Sequence, residues 1–436
     1  MARKKSSIVQ EKKNTEKKVV KKKVEKDDLE GSTSKTKIRI IGIGGGGSSV
    51  IAEIAPDLKR VDFVAANTDK RALRMLSKKT KTFQFGDKLT GGFGTGMDFE
   101  LGKEAASSEK DRIKQLLEGQ DICIFVSCLG GGTGSGAVPV FAKIARELGN
   151  ITYGIFTLPF NFEGSRKMGL ALEALREAKP HLNAMSILPN ENIFRITDKN
   201  TPLKEALSVI NNNLSDSLKG LMETIYNPGL INIDFADLKT VLEERGKLAY
   251  LNSLVFDGSK GIDEAIKKAI SNPFYSYSID GASGVLFNIS GSGNLGLEDV
   301  SKISEGIAGL VKKNAKVMFG ISQDQKYGDK IKVSLLAVGC DSEDIFPKDE
   351  KSFVKLKQIK EVKTKEEAPK KKKKASLPKK KIENNKKEAE VNIKIRKNGI
   401  QVKQAEGDVE KEILDNEKKW ETPAFLRRKP SEDNKL

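Results

Sequence analysis

The chain has 436 residues, with 78 Lys and Arg against 60 Asp and Glu, one His and three Cys, for a formal net charge of +18. That length predicts two or three domains, and 37% hydrophobic beside 32% charged residues predicts that part of the chain does not fold. No stretch approaches the roughly 18 consecutive apolar residues of a membrane-spanning helix.

Charge is spread unevenly. Residues 1–36 carry 12 basic and 6 acidic side chains, residues 341–436 carry 28 and 20, and the 304 residues between them carry 38 and 34. Most of the excess therefore belongs to two flanking arms, which argues against a sequence-specific nucleic-acid-binding fold. With lysine runs at 21–23, 370–374 and 379–381 and few apolar side chains, the arms cannot repay ordering entropy and are expected to be disordered. Arg3, Lys4 and Lys5 open the chain without an apolar stretch behind them, so neither a secretory signal nor a membrane anchor is expected.

Between the arms, strands are predicted at 37–43, 61–66, 121–127, 151–158 and 185–188. They alternate with helix-like stretches, the pattern of a parallel sheet covered on both faces. Leu207, Ile210, Leu214, Leu218 and Leu221 recur every three or four residues and predict a long helix stopped by Asn227-Pro228-Gly229. Further strands at 248–256, 284–290, 316–321 and 331–338, with helices at 263–271 and 297–312, predict a second, smaller α+β domain. No repeat of fixed period is present.

Of 39 glycines only Gly31, Gly399 and Gly407 lie in the arms. Three clusters hold the excess: Gly42, Gly44, Gly45, Gly46 and Gly47; then Gly91, Gly92, Gly94 and Gly96 around Thr95; then Gly130, Gly131, Gly132, Thr133, Gly134, Ser135 and Gly136. The first and third run from a predicted strand into a helix, where α/β sheets bind ligands. Such loops aim successive N–H groups at one point, and a polyphosphate is the natural guest. Neither ends in Gly-Lys-Ser/Thr, so amides and the hydroxyls of Thr133 and Ser135 would do the holding rather than a lysine. Gly42, Gly44 and Gly47 also fit G-x-G-x-x-G with Asp69 downstream, which keeps a nicotinamide-dependent oxidoreductase open. The third cluster exceeds what a turn needs and is the more specific signal.

Asn232, Asp234 and Asp237 follow the helix stop. Two carboxylates three residues apart suit orienting water or holding a cation, and equally suit capping a helix that begins near Leu238. His181 sits in Lys179-Pro180-His181-Leu182 without an acidic partner nearby, which excludes a zinc site built on His ligands and disfavours a His-based hydrolase. Cys123, Cys128 and Cys340 have no metal-ligand spacing and read as reduced cytoplasmic core thiols.

These motifs resemble one family closely. GGGTGSG at 130–136 is similar to the phosphate loop of the tubulin/FtsZ superfamily, and GLINIDFAD at 229–237 to the synergy loop of FtsZ, its bacterial cell-division branch. IGIGGGG at 41–47, NTD at 67–69, GFGTGMDFELG at 92–102, PFNFEG at 159–164 and SIDGASGVLFNISG at 278–291 follow collinearly. The resemblance implies an α/β fold: a Rossmann-like GTP-binding domain at 37–205, a central helix at 206–228, and the synergy loop with a smaller α+β domain at 229–340. Around these would lie a disordered basic extension at 1–36, a disordered linker at 341–419 and a partner-binding peptide at 420–436.

By position, the family pattern puts Gly44, Gly45, Gly46, Gly47, Gly94, Thr95 and residues 130–136 around the phosphates of GTP or GDP with Mg²⁺. It puts Glu163 on the ribose, Asn190 near the nucleotide and Asn211 on the guanine. Asn232, Asp234 and Asp237 would reach the γ-phosphate of the next subunit in a head-to-tail homopolymer. Thr422, Pro423, Ala424, Phe425, Leu426, Arg427 and Arg428 resemble the peptide that docks on membrane-tethering division proteins, which implies a cytoplasmic division ring at the inner face of the membrane with indirect membrane contact. The pattern is not followed everywhere. Lys167 stands where the family has Arg, Leu207 where it has an aromatic, Ser48 and Ser49 replace Gly-Asn, and Cys128-Leu129 replaces Gly-Met. Lys lacks the planar fork of Arg, so weaker or less selective nucleotide binding is expected. A nucleotide-binding scaffold that polymerises without turnover is the remaining rival.

Overall fold

The structure, a computed structural model, describes residues 36–76, 80–198, 200–257, 262–292 and 295–341. Residues 1–35, the linker from 342 and the peptide 420–436 lie outside the described residues.

Chain order begins β1 (Ile38–Ile43), α1 (Gly44–Ile54), β2 (Asp62–Asn67), α2 (Lys70–Arg74), β3 (Lys81–Gln84), α3 (Asp87–Thr90), α4 (Phe99–Ser107), α5 (Lys110–Leu117), β4 (Ile122–Cys128), α6 (Gly132–Glu147), β5 (Ile151–Leu158), α7 (Ser165–Ala178) and β6 (Ala184–Pro189). It continues with α8 (Leu203–Tyr226), α9 (Phe235–Val241), β7 (Lys247–Asp257), α10 (Ile262–Ile270), β8 (Gly284–Gly291), α11 (Leu297–Ala308), β9 (Lys316–Gln323) and β10 (Lys330–Val338). The strands form one sheet in the order β3-β2-β1-β4-β5-β6-β7-β10-β8-β9.

β1 to β6 run parallel. Their sequences explain it: Ile38, Ile40, Ile41 and Ile43 of β1 and Ile122, Ile124, Phe125 and Val126 of β4 are all buried, because helices cover both faces. β10 lies antiparallel to β7 and β8, while β9 pairs parallel with β8 at the edge. Between the two halves, β6 and β7 share only the pairs Ala184 with Lys247 and Met185 with Leu248.

Every predicted strand forms. The short strand β3, reading KTFQ, was not predicted, because four largely polar residues at a sheet edge carry no periodic signal. The helix predicted at 297–312 ends at Ala308, where the Gly309 amide turns back to the carbonyls of Glu305 and Ile307.

α8 has 24 residues, so it spans about 36 Å. Its course is read from its partners. Asn211 Nδ2 donates to Glu53 Oε2 in α1 (2.7 Å), whereas near its end Tyr226 OH donates to the carbonyl of Thr36, just before β1 (2.9 Å). Arg60, just before β2, donates to the Tyr226 carbonyl at 3.4 Å. α8 therefore runs back along the sheet and delivers the chain to the edge where the parallel strands begin.

Candidate functional site

Two of the three glycine clusters begin at the carboxyl ends of parallel strands, and the third is tied to them. β1 passes directly into α1 with Gly44 at φ +78°, and a Cβ added there would stand 2.8 Å from the Gly134 nitrogen. Only glycine permits that backbone and that approach. The Gly132 amide donates to the Gly96 carbonyl (3.0 Å) and the Lys70 amide to the Gly92 carbonyl (3.0 Å). Thr133 Oγ1 completes the join, 3.0 Å from Thr68 Oγ1 and 3.2 Å from Thr95 Oγ1. Thr68 belongs to the NTD match at 67–69 but had no role assigned from sequence, since only the folded chain brings it to Thr133.

Ser135, expected to face phosphate, is buried, and its hydroxyl accepts the Gly130 amide (2.8 Å), so it shapes the loop from within. By contrast, a Cβ added at Gly45, Gly94 or Gly131 would meet nothing within 4 Å. Packing does not demand glycine at those three positions; close approach of a ligand to the backbone would. α1 and α6 point their N-termini into this region with no acidic side chain in either first turn, which leaves their amides free of a competing anion. The dinucleotide reading needs Asp69 for a ribose, but its carboxylate caps α2 by accepting the amides of Arg71 (2.8 Å) and Ala72 (3.1 Å).

Glu163, Lys167 and Asn190 sit around the same end of the sheet, whereas Asn211 meets the last turn of α1. Gly130 touches the start of α7, since a Cβ there would lie 3.2 Å from the Lys167 carbonyl. Lys167 Nζ is 2.8 Å from Glu163 Oε2, and Glu163 Oε1 accepts the Phe160 amide (2.9 Å). Partial burial pushes the Glu163 carboxyl up, but Lys167 and the Phe160 amide outweigh it and hold the group below the usual carboxylate range. The next turn is tied in where the Asn161 amide donates to Glu191 (2.9 Å), beside half-buried Asn190. Asn211 is held to α1 by Glu53. A carboxylate can only accept, so it turns the Asn211 amide nitrogen toward itself.

The departures from the family pattern have physical consequences. Ser49 returns its hydroxyl to the Gly45 carbonyl (3.1 Å), and the Cys128 side chain lies against Gly46, where an added Cβ would be 2.6 Å from Cys128 Cβ. Burial pushes the Cys128 thiol up, so it stays protonated.

Asn232, Asp234 and Asp237 are not in this group. They follow the C-terminal end of α8, at the opposite edge of the sheet. Asp234 caps α9: its Oδ1 accepts the Asp237 amide (2.8 Å), while Asp237 Oδ2 accepts the Asp234 amide (3.0 Å), a reciprocal capping box. Each carboxylate spends one oxygen on the box. Asn232 Oδ1 accepts the Gly229 amide, and the loop is laid on β9 through Leu230 N and Ile231 N, both donating to the Ile321 carbonyl (2.7 and 3.2 Å). Ile233 anchors it, buried against Gly320.

Residues 37–198 match the family model described as Tubulin/FtsZ family, GTPase domain, and residues 255–341 match that of the FtsZ family, C-terminal domain. The cell division protein FtsZ of Wigglesworthia glossinidia brevipalpis is 37% identical over 309 residues, covering 70% of this chain and 80% of that protein. That of Coxiella burnetii is 36% identical over 315 residues, covering 72% and 81%. Among solved structures, an empty FtsZ dimer from M. jannaschii aligns with a TM-score of 0.64 at 35% identity, over 72% of this chain and 92% of that one. CetZ2 from Haloferax volcanii, solved as a GTPγS-bound protofilament, shares the fold at 20% identity, with a TM-score of 0.62 over 76% of this chain and all of that one. With the glycine loops assembled as described and identity of this order spread over four-fifths of the relatives, the chain belongs to the FtsZ family of tubulin-like GTPases.

Proposed function

We propose that this filament-forming division GTPase hydrolyses GTP only where one copy meets the next in a head-to-tail filament. One observation carries the reading: the glycine loops follow the carboxyl ends of β1 and β4, whereas Asp234 and Asp237 follow the far end of α8, a helix about 36 Å long that ends beside Thr36, where the parallel strands begin. A single copy cannot bring the two together, whereas stacking copies end to end can. Gly44, Gly45, Gly46, Gly47, Gly94, Thr95 and the backbone amides of residues 130–136 would hold the phosphates, with the Ser135 hydroxyl kept for the loop itself, Glu163 and Lys167 at the ribose side and Asn190 and Asn211 toward the base.

In this reading a water attacks the γ-phosphorus, the bond to the β–γ bridging oxygen breaks, and GDP leaves with phosphate. Asp234, Asp237 and Asn232 of the neighbouring copy need only orient that water, so positioning and electrostatics do the work. A histidine base is unnecessary. Mg²⁺ would enter with the nucleotide and neutralise phosphate charge. The peptide at 422–428, outside the described residues, would dock on a tether protein at the inner face of the membrane through Phe425 and Leu426.

Phosphate release measured against protein concentration tests the split site. Specific activity should rise above a threshold concentration, and Asp237→Ala should form filaments with little turnover. Specific activity independent of concentration would sink the reading, and undiminished turnover in the variant would remove Asp237 from the mechanism.

A further inference from the structure

We infer that Glu223, clamped by Lys326 and Lys332, is a positioning residue for the loop that carries Asp234 and Asp237; this rests on the reading that those carboxylates act on the nucleotide of the next copy. Glu223 lies one turn before the end of α8, and its carbonyl accepts the Asn227 amide at 3.0 Å. Its carboxylate takes Lys332 Nζ from β10 at 2.6 Å and Lys326 Nζ at 3.2 Å, with Tyr327 OH at 3.5 Å. Lys326 also pairs with Asp324 (2.7 Å), the residue that follows β9.

These contacts close a ring. From Glu223 the chain leaves α8, passes Asn227 to Gly229, and is bonded at Leu230 and Ile231 to Ile321 of β9. β9 then continues three residues to Asp324, whose partner Lys326 returns to Glu223. The entrance to the loop is thus held between two anchors on one segment, Ile321 and Lys326, with Lys332 as a third point on β10, which β8 separates from β9.

Packing alone does not fix this entrance, because Leu230 is 69% exposed and Ile231 41%. The Lys332 side chain is only 7% exposed, so its ammonium is held out of water opposite Glu223. Such a pair costs nearly as much in desolvation as it returns, and its use is to specify one arrangement. Here it specifies the rotation and depth of the last turn of α8. Partial burial pushes the Glu223 carboxyl up, but Lys332 and Lys326 outweigh it and hold the group below the usual carboxylate range.

Lys332→Met, Lys332→Arg, Lys326→Met and Asp237→Ala in the full chain test this. The readouts are phosphate release well above the assembly threshold, GDP affinity, sedimentable polymer and the thermal unfolding midpoint. Lys332→Met should lower turnover about tenfold with GDP affinity and polymer yield near wild type, since a loop displaced by an ångström misplaces the water. Lys332→Arg should recover most of the turnover. Lys326→Met, at a half-exposed position, should lower turnover severalfold without loss of folding, and serves if Lys332→Met does not fold. Wild-type turnover in both methionine variants, or Lys332→Arg as defective as Lys332→Met, overturns the clamp. Full turnover in Asp237→Ala overturns the loop reading and the clamp with it, whereas an inactive Asp237→Ala beside fully active methionine variants overturns the clamp alone.

Discussion

Two kinds of glycine line the loop end of the sheet, and they answer to different forces. Gly44 is required by the fold, being at φ +78° and 2.8 Å from the Gly134 nitrogen once a Cβ is built. Gly45, its neighbour, has nothing within 4 Å of an added Cβ. Gly44→Ala should therefore cost about 1–3 kcal/mol of stability through strain and overlap. Gly45→Ala should leave stability unchanged or raise it by about 0.5 kcal/mol, yet weaken GDP binding about tenfold by keeping phosphate from the amides. Denaturant midpoints beside a nucleotide titration check the pair, and a Gly45→Ala protein with wild-type affinity would detach the first loop from phosphate binding. The sequence marked both glycines alike. Clustering shows that a loop is exceptional, but which members face backbone and which face open space depends on residues about 90 positions away, such as Gly134.

At the scale of elements, the weak point is the seam between β6 and β7. Beyond their two paired positions the strands part, and tyrosine phenols bridge them. Tyr277 OH accepts the Ile187 amide of β6 (3.1 Å) and donates to the Ala249 carbonyl of β7 (2.9 Å), replacing a ladder bond with a side chain. Tyr275 OH caps Leu251 on both its amide and its carbonyl (3.3 and 3.1 Å), and Tyr153 OH meets Ser186 at 2.6 Å. All these phenols are buried, so each unmade bond is expensive. Tyr277→Phe leaves the Ile187 amide without its acceptor and should lower stability by about 1–3 kcal/mol in urea unfolding; an unchanged midpoint would show that the bridge contributes nothing. The strands themselves were legible, because β1 to β6 are continuous apolar runs and the helices keep their three-to-four spacing. The seam was not, since the segment around Tyr275 and Tyr277 has no regular element of its own and gains its role only from strands nearby in space.

For the whole molecule, the arms and the folded part divide the work. The 304 residues between the arms carry 38 basic and 34 acidic side chains, so the +18 is mainly a property of the arms. Deleting residues 420–436 should leave GTP turnover and assembly intact while abolishing capture by a membrane-tether protein in a pull-down, and unchanged capture would remove the peptide from that role. By itself the sequence determined the family, the order of every strand but β3, the long helix α8, the three glycine loops and the carboxylate pair. Each of these is a local pattern, written in residue type and spacing. Only the tertiary structure decided which contacts draw the loops together, that Ser135 turns inward, and that Glu223 closes a ring with Lys326 and Lys332. Those facts depend on the direction of α8 across the sheet and on contacts between residues as much as 190 positions apart, which burial and charge pairing select in three dimensions and no local spacing records.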